Sequence, residues 1–383
     1  MTSATEHLAR LVAFPTVSRD SNLDLIGYVE AALDGLAIPH FRASSEDGRK
    51  ANLYATIGPK DVPGIVLSGH TDVVPVDGQA WSSDPFALRT ADGRLYARGS
   101  ADMKGFIACC LAAAPAAAKR KLTAPIHFAF SYDEELGCLG VRRLLDALKP
   151  VQPKPRFCII GEPTSMQVVI AHKGKAGARV IAHGLEGHSS LAPLYVNALH
   201  LAMDLAAEVR SIQAEIAARG LKDGDYDVPY TTVHVGRLIG GDAINIVPNR
   251  AEMAFEIRYL PGDDPDAILA RVRRKADALI AEARKIHPGA GFEFHPLASY
   301  PALDVKPDSE VVSFVRALTG GNSTGKITFG TEGGLFQQEL GIPSVVCGPG
   351  SIAVAHKPDE YIEESQMAAC DAFLSRLIDR LSA

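Results

Sequence analysis

Ala178-Arg-Val-Ile-Ala-His183, Tyr230-Thr-Thr-Val-His-Val-Gly-Arg-Leu238 and Ala251-Glu-Met-Ala-Phe-Glu-Ile-Arg-Tyr-Leu260 are three β-rich runs within one stretch of the chain. Between the first and second, Ala198, Leu201, Leu205, Val209, Ile212 and Ile216 recur every three or four residues, the spacing of one helix face. After the third, Asp264-Pro265 opens a second such pattern through Ile268, Val272, Ala276 and Ile280. A final strand follows at Gly291 to His295. The order β-α-β-β-α-β predicts a ferredoxin-like α+β unit that can fold as a domain of its own.

On both sides of this unit the rhythm changes to short apolar runs separated by helical patterns. Gly64 to Gly69, Ile126 to Ser131, Phe157 to Ile160 and Ile342 to Val346 are of the kind buried on both faces in an α/β sheet. The middle stretch therefore reads as an insertion. One domain is expected from residues 1–175 with 296–383, and an inserted one from 176–295.

A length of 383 residues agrees with two domains. Hydrophobic residues at 47% and charged residues at 22% describe a globular chain. The net charge of -6 leaves no basic field for nucleic acid or an anionic membrane surface. The six cysteines contain no C-x-x-C spacing, which favours reduced thiols in the cytoplasm. The first fifteen residues have no continuous apolar run of the signal-peptide type, and Phe106 to Ala118 is about half of a membrane span.

Four of the outer apolar runs lead into metal-ligand chemistry: Gly69-His70-Thr71-Asp72, Asp133-Glu134-Glu135, Gly161-Glu162-Pro163, and Gly350 through His356. Asp102 adds a further carboxylate in Gly99-Ser-Ala-Asp-Met-Lys-Gly105. Ligand sites in open α/β sheets lie outside the carboxyl ends of strands, so these segments predict one shared site. Two imidazoles with three carboxylates suit divalent ions such as zinc, and a bridging carboxylate allows two ions roughly 3.5–4 Å apart. One carboxylate then remains free as a base.

The combination of Ser68 to Pro75, Gly99 to Gly105, Asp133 to Gly137, Gly161 to Pro163, Gly187-His188-Ser189 and His356, in this order over essentially the whole chain, resembles the acetylornithine deacetylase and succinyl-diaminopimelate desuccinylase family of zinc-dependent amidohydrolases. The resemblance implies an α/β zinc-hydrolase catalytic domain, with a central sheet flanked by helices, and a ferredoxin-like dimerisation domain inserted in it. It implies two Zn2+ ions, with Co2+ able to substitute. Asp102 would bridge them, Glu135 and His356 completing one site and His70 and Glu162 the other. Glu134 would be the general acid/base, and Asp72 the carboxylate that orients His70. His188 would stabilise the oxyanion in the partner subunit of a homodimer. Arg258 and Asn245 would hold a substrate α-carboxylate, and the Asp102-Met103 peptide would be cis.

Within the family, Phe329-Gly-Thr-Glu-Gly-Gly334 and Gly348 to Tyr361 resemble the acetylornithine deacetylases most closely. That implies a small N-acyl amino acid substrate with a side-chain ammonium, Thr331 and Glu332 lining its pocket and Glu332 facing the ammonium. An exposed loop glutamate is the plain alternative for Glu332. A broader N-acyl amino acid hydrolase, a desuccinylase or a dipeptidase is the other reading of the substrate, and a non-catalytic homologue is disfavoured by retention of every ligand and of Glu134. His127, His172 and His234 read as strand or loop histidines. Gly320 to Lys326 has the spacing of a phosphate loop but lacks its Ser or Thr and its preceding strand, which excludes nucleotide binding.

Overall fold

The computed structural model of the protein describes residues 2–383, which fall into two compact units. The first comprises the chain up to Ala171 with Leu303–Lys326 and Thr331–Ala383, and the second His172–Ala302 with Ile327–Gly330.

Six strands of the large sheet come from the first part of the chain: β1 (His40–Ser44), β2 (Ala51–Ile57), β3 (Ile65–His70), β4 (Ile126–Ser131), β5 (Phe157–Pro163) and β6 (Val168–His172). The inserted segment then contributes β7 (Gly174–His183), β8 (Thr232–Gly240), β9 (Arg250–Tyr259) and β10 (Gly291–Pro296). After it come β11 (Leu303–Asp304) and β12 (Ser344–Gly348). The order across the large sheet is β1-β2-β4-β3-β5-β12-β6-β11.

In that sheet β4, β3, β5 and β12 are mutually parallel, while β1, β2 and β6 pair antiparallel. All six residues of β3 and all seven of β5 are buried, and their apolar openings, Ile65-Val-Leu67 and Phe157-Cys-Ile-Ile160, suit strands covered on both faces. The parallel arrangement has a direct consequence. His70, Ser131, Glu162 and Gly348 all lie at the same, carboxyl-terminal end of the sheet, where ligand sites form. Gly161 and Gly348 permit the close packing there: a Cβ on Gly161 would lie 2.1 Å from the Phe106 ring, and one on Gly348 2.0 Å from the Gly161 carbonyl.

Helix α1 (Gly105–Lys119) buries Phe106, Ile107, Cys109, Cys110 and Leu111 and packs against the C-terminal helix Glu364–Arg380. With the irregular turn before it, this element forms a stretch from Ser100 to Lys119 that is long and apolar enough to cross a membrane, more than the half span read from Phe106 to Ala118. It is 72% buried within the protein, so its apolarity serves the core. Each of the six cysteines is free and buried.

The second unit forms its own sheet, in the order β8-β9-β7-β10, with every neighbouring pair antiparallel. That is the strand order of a ferredoxin-like βαββαβ unit. Its two long helices are α2 (Ala198–Arg219), capped by Asn197, and α3 (Pro265–Ala283), capped by Asp264. Leu205, Val209, Ile212, Val272 and Ala276 on these helices share one core with Val180, Met253, Phe255 and Ile257 on the strands. The three- and four-residue spacing of the helical positions against the alternation along β9 produces this two-layer packing.

Candidate metal centre

His70 ends β3 and Glu162 is the sixth residue of β5, so adjacent parallel strands set them side by side. Glu134 and Glu135 follow β4 in a turn where Asp133 and Cys138 both take positive φ. His356, also at positive φ, lies in the loop after β12. Asp102 enters between them from the irregular turn Ser100–Lys104, and the Asp102-Met103 peptide is cis.

The two oxygens of Asp102 face two different histidines. Oδ1 lies 3.0 Å from His70 Nε2 and Oδ2 lies 3.1 Å from His356 Nε2. His70 Nε2 is also 3.7 Å from Glu162 Oε1, and His356 Nε2 is 3.1 Å from Glu135 Oε1. Two triads result, His70-Asp102-Glu162 and Asp102-Glu135-His356, each with its ligand atoms within 4.8 Å of one another.

Burial opposes charge on both Asp102 and Glu162, but their surroundings differ. Hydrogen bonds from His356 and His70 outweigh that penalty at Asp102 and hold its carboxyl below the ordinary range. Burial and the Asp102 charge together push Glu162 well above its ordinary value. Hydrogen bonds to Asp102 and Glu135 raise His356 to about 10. Three carboxylates crowded into one largely desolvated volume call for cationic charge, and imidazole with carboxylate is the donor set of zinc-type divalent ions. The residues present fit such ions.

Asp72 departs from its expected geometry. His70 Nδ1 is 2.9 Å from the Asp72 backbone carbonyl and 3.6 Å from its carboxylate, so the main chain supplies the nearer acceptor. The carboxylate accepts instead from the Ser18 hydroxyl at 2.7 Å and from the backbone N–H groups of Glu134 and Glu135 at 3.1 and 3.3 Å. It therefore fixes the turn that carries both glutamates. Glu134 belongs to neither triad. Burial and the neighbouring Glu135 drive its carboxyl well above the usual value, and the Cys138 thiol donates to Oε1 at 3.3 Å. The sequence reading missed Cys138 and Ser18, whose residue types alone carry no ligand signal.

Thr331 and Glu332 require a correction as pocket residues. They are 0% and 1% exposed. Glu332 accepts hydrogen bonds from the hydroxyls of Ser68, two residues before His70 on β3, and Ser131, the last residue of β4, and burial raises its carboxyl to about 7. Thr331 Oγ1 accepts from the Gly333 N–H at the start of helix α4 (Gly333–Leu340). Neither the ammonium contact nor the exposed loop describes this Glu332.

The remaining site residues belong to the second unit. His188 is exposed, with Nδ1 2.7 Å from Ser190 Oγ. It sits on a short antiparallel pair with Ile246, and the Ser189 N–H donates to the Asn245 carbonyl, which keeps His188 and Asn245 together. Arg258 on β9 donates to Tyr300 Oη at 2.6 Å and to Glu256 at 3.3 Å. His172 is buried and its Nδ1 lies 3.0 Å from the Lys173 carbonyl, while His127 pairs with Thr56, so both are occupied within the fold.

Residues 66–380 match the family described as Peptidase family M20/M25/M40. The chain belongs to that family. An acetylornithine deacetylase from Myxococcus xanthus is 35% identical over 376 residues, 97% of this chain and 95% of its own. An M20 family metallo-carboxypeptidase from Sulfolobus solfataricus shares the fold with a TM-score of 0.78 at 20% identity, over 99% of both chains. A dinuclear metal-binding peptidase of the M20 family from Bacillus subtilis superposes with a TM-score of 0.64 at 17% identity, over 99% of this chain and 98% of the other. Family membership makes the protein a metal-dependent hydrolase of the peptidase and amidohydrolase class, and its M20 architecture is a mixed sheet flanked by helices.

Proposed function

We propose that this protein is a dinuclear zinc amidohydrolase that cleaves N2-acetyl-L-ornithine to ornithine and acetate, in arginine biosynthesis in the cytoplasm. The observation that carries the two-ion reading is Asp102, with one oxygen toward His70 and the other toward His356. His70, Asp102 and Glu162 would hold one ion, and Asp102, Glu135 and His356 the other. Bound there, divalent ions supply Lewis-acid activation of water and charge that stabilises a developing oxyanion.

The chain's own residues do the rest. Glu134, beside both triads and a ligand of neither, takes a proton from the attacking water and returns it to the departing amine nitrogen. Asp72 holds the turn that presents Glu134 and Glu135. Arg258, oriented by Tyr300, offers a planar guanidinium to the α-carboxylate, with Asn245 beside His188 as its companion.

His188 supplies the donor to the oxyanion in the other subunit of a homodimer. Its exposure supports that role, as does the apolar surface around it, where Leu194 is 65% and Ile244 101% exposed. The inserted domain, set at 176–295 from the sequence, is then the dimerisation element. The choice of ornithine rests on the 35% identity to a named acetylornithine deacetylase over nearly the full length of both chains.

Acetate release from a panel of N-acetyl amino acids tests the reading. N-acetylornithine should give the highest kcat/KM, and a chelator should abolish turnover until Zn2+ or Co2+ is restored. Faster cleavage of N-acetylmethionine or of a dipeptide would reject the substrate assignment and leave a broader amidohydrolase.

A further inference from the structure

A continuous set of side-chain hydrogen bonds joins the backbone of Asp102 to the backbone of His356, although the two are 254 residues apart in sequence. It begins at Glu360, which is 1% exposed. Glu360 Oε1 accepts the N–H groups of Ala101 and Asp102 at 3.0 and 3.1 Å. Its other oxygen accepts from Arg98 Nη1 at 2.6 Å. Arg98 is equally buried, and its Nη2 donates to Gln79 Oε1. Gln79 Nε2 completes the path by donating to the His356 carbonyl at 3.0 Å.

Placing a guanidinium and a carboxylate out of water is costly, and a well-packed apolar pair is often at least as stable. Fold stability alone is therefore a weak reason for Arg98 and Glu360. What the pair does distinctively is present a fixed acceptor to two successive backbone N–H groups at Asp102 and a fixed donor to Gln79. A guanidinium with both amino groups engaged in one plane has little freedom to rotate, so displacement at one end is resisted at the other. Gln79 also accepts from Trp81 Nε1 at 3.1 Å, and Trp81 stacks under Arg98 with 5.1 Å from guanidinium carbon to ring centre.

We propose that Gln79, Arg98 and Glu360 are positioning residues that set the separation of Asp102 from His356, and with it the affinity and geometry of the metal triad that contains both. The inference rests on the two-ion reading above. It makes asymmetric demands on the two triads. Asp102 serves both, so loss of Glu360 loosens both. Gln79 reaches only His356, so its loss loosens the Asp102-Glu135-His356 triad and spares His70-Asp102-Glu162.

Co2+ titration of the metal-free protein, followed by calorimetry and by the visible absorption of bound Co2+, is the test. Wild type should take up two ions. Supports of this kind change metal affinity by about 10–100-fold, so Gln79→Ala should weaken one ion by about tenfold or more, leave the other unchanged, and alter one component of the Co2+ spectrum. Its kcat should fall with little change in KM. Glu360→Gln, which keeps an acceptor but disrupts the Arg98 contact, should weaken both ions.

Gln79→Glu separates positioning from simple stability. It strengthens the pairing with Arg98 but has no donor for the His356 carbonyl, so it should hold its thermal midpoint and still lose the same ion as Gln79→Ala. Unchanged affinities and spectra in both Gln79 variants would overturn the inference, whether or not Glu360→Gln folds. A wild-type titration that ends at one ion would overturn the two-ion reading itself, and the inference with it.

Discussion

Glu134 is the residue on which the proposed chemistry turns. Its carboxyl feels the charges of His70 in one triad and Glu135 in the other without joining either, which is the position a proton carrier needs. Glu134→Ala should retain both ions and lose about 10²–10⁴-fold in kcat, the usual contribution of general acid–base catalysis. A variant with full metal content and near-normal turnover, measured by acetate release, would remove Glu134 from the mechanism. At this scale the sequence was informative where a residue type has few other uses in its place. His70, Asp102, Glu135, Glu162 and His356, identified from their loops, meet in two triads. It was uninformative for Glu332, because nothing local marks the two serines, Ser68 and Ser131, that receive its carboxylate from other strands. Asp72 was half legible: its nearness to His70 follows from spacing, whereas the backbone N–H groups its carboxylate accepts belong to a turn sixty residues away.

Among the elements, the parallel strands β3, β4, β5 and β12 create the site by ending together, and their short, largely apolar runs made them recognisable. The antiparallel strands β1, β2 and β6, of five to seven residues, were not among the runs read from the sequence, and the two-residue pair formed by His188 with Ile246 is too short to carry periodicity. Strand β4 also carries a pH liability. His127 stacks on Tyr54 at 5.2 Å between ring centres, and burial lowers its imidazole to about 4. Its unfolded value is near 6.5, so the unfolded chain binds the extra proton first as pH falls. Stability should be complete above about pH 6.5 and decline toward pH 4, by up to about 2 kcal/mol for this residue at pH 5. His172, also lowered to about 4 by burial, adds to the same slope. Urea midpoints at pH 7.5 and pH 5 should therefore differ less in His127→Gln than in wild type. An equal acid-induced loss in the two proteins would show that His127 is not its source.

For the molecule as a whole, the insertion was visible in the change from buried α/β runs to a βαββαβ pattern and back. The structure's units divide at Ala171 and Ala302, and Ile327–Gly330 joins the second. That last segment could not be foreseen, because its membership is decided by tertiary packing, as Gly330 against the Tyr300 ring illustrates. Action of His188 across a dimer makes a prediction at this scale. Glu134→Ala and His188→Ala chains, each inactive alone, should recover part of the activity when mixed, since a heterodimer contains one site with both residues intact. No recovery despite verified subunit exchange would place His188 outside the partner's site. Anomalous diffraction from crystals grown with Zn2+ decides whether Asp102 bridges two divalent ions. Two zinc peaks are expected roughly 3.5–4 Å apart with Asp102 between them, one beside His70 and Glu162 and the other beside Glu135 and His356. A single peak at saturating zinc, or two peaks that do not share Asp102, would contradict it.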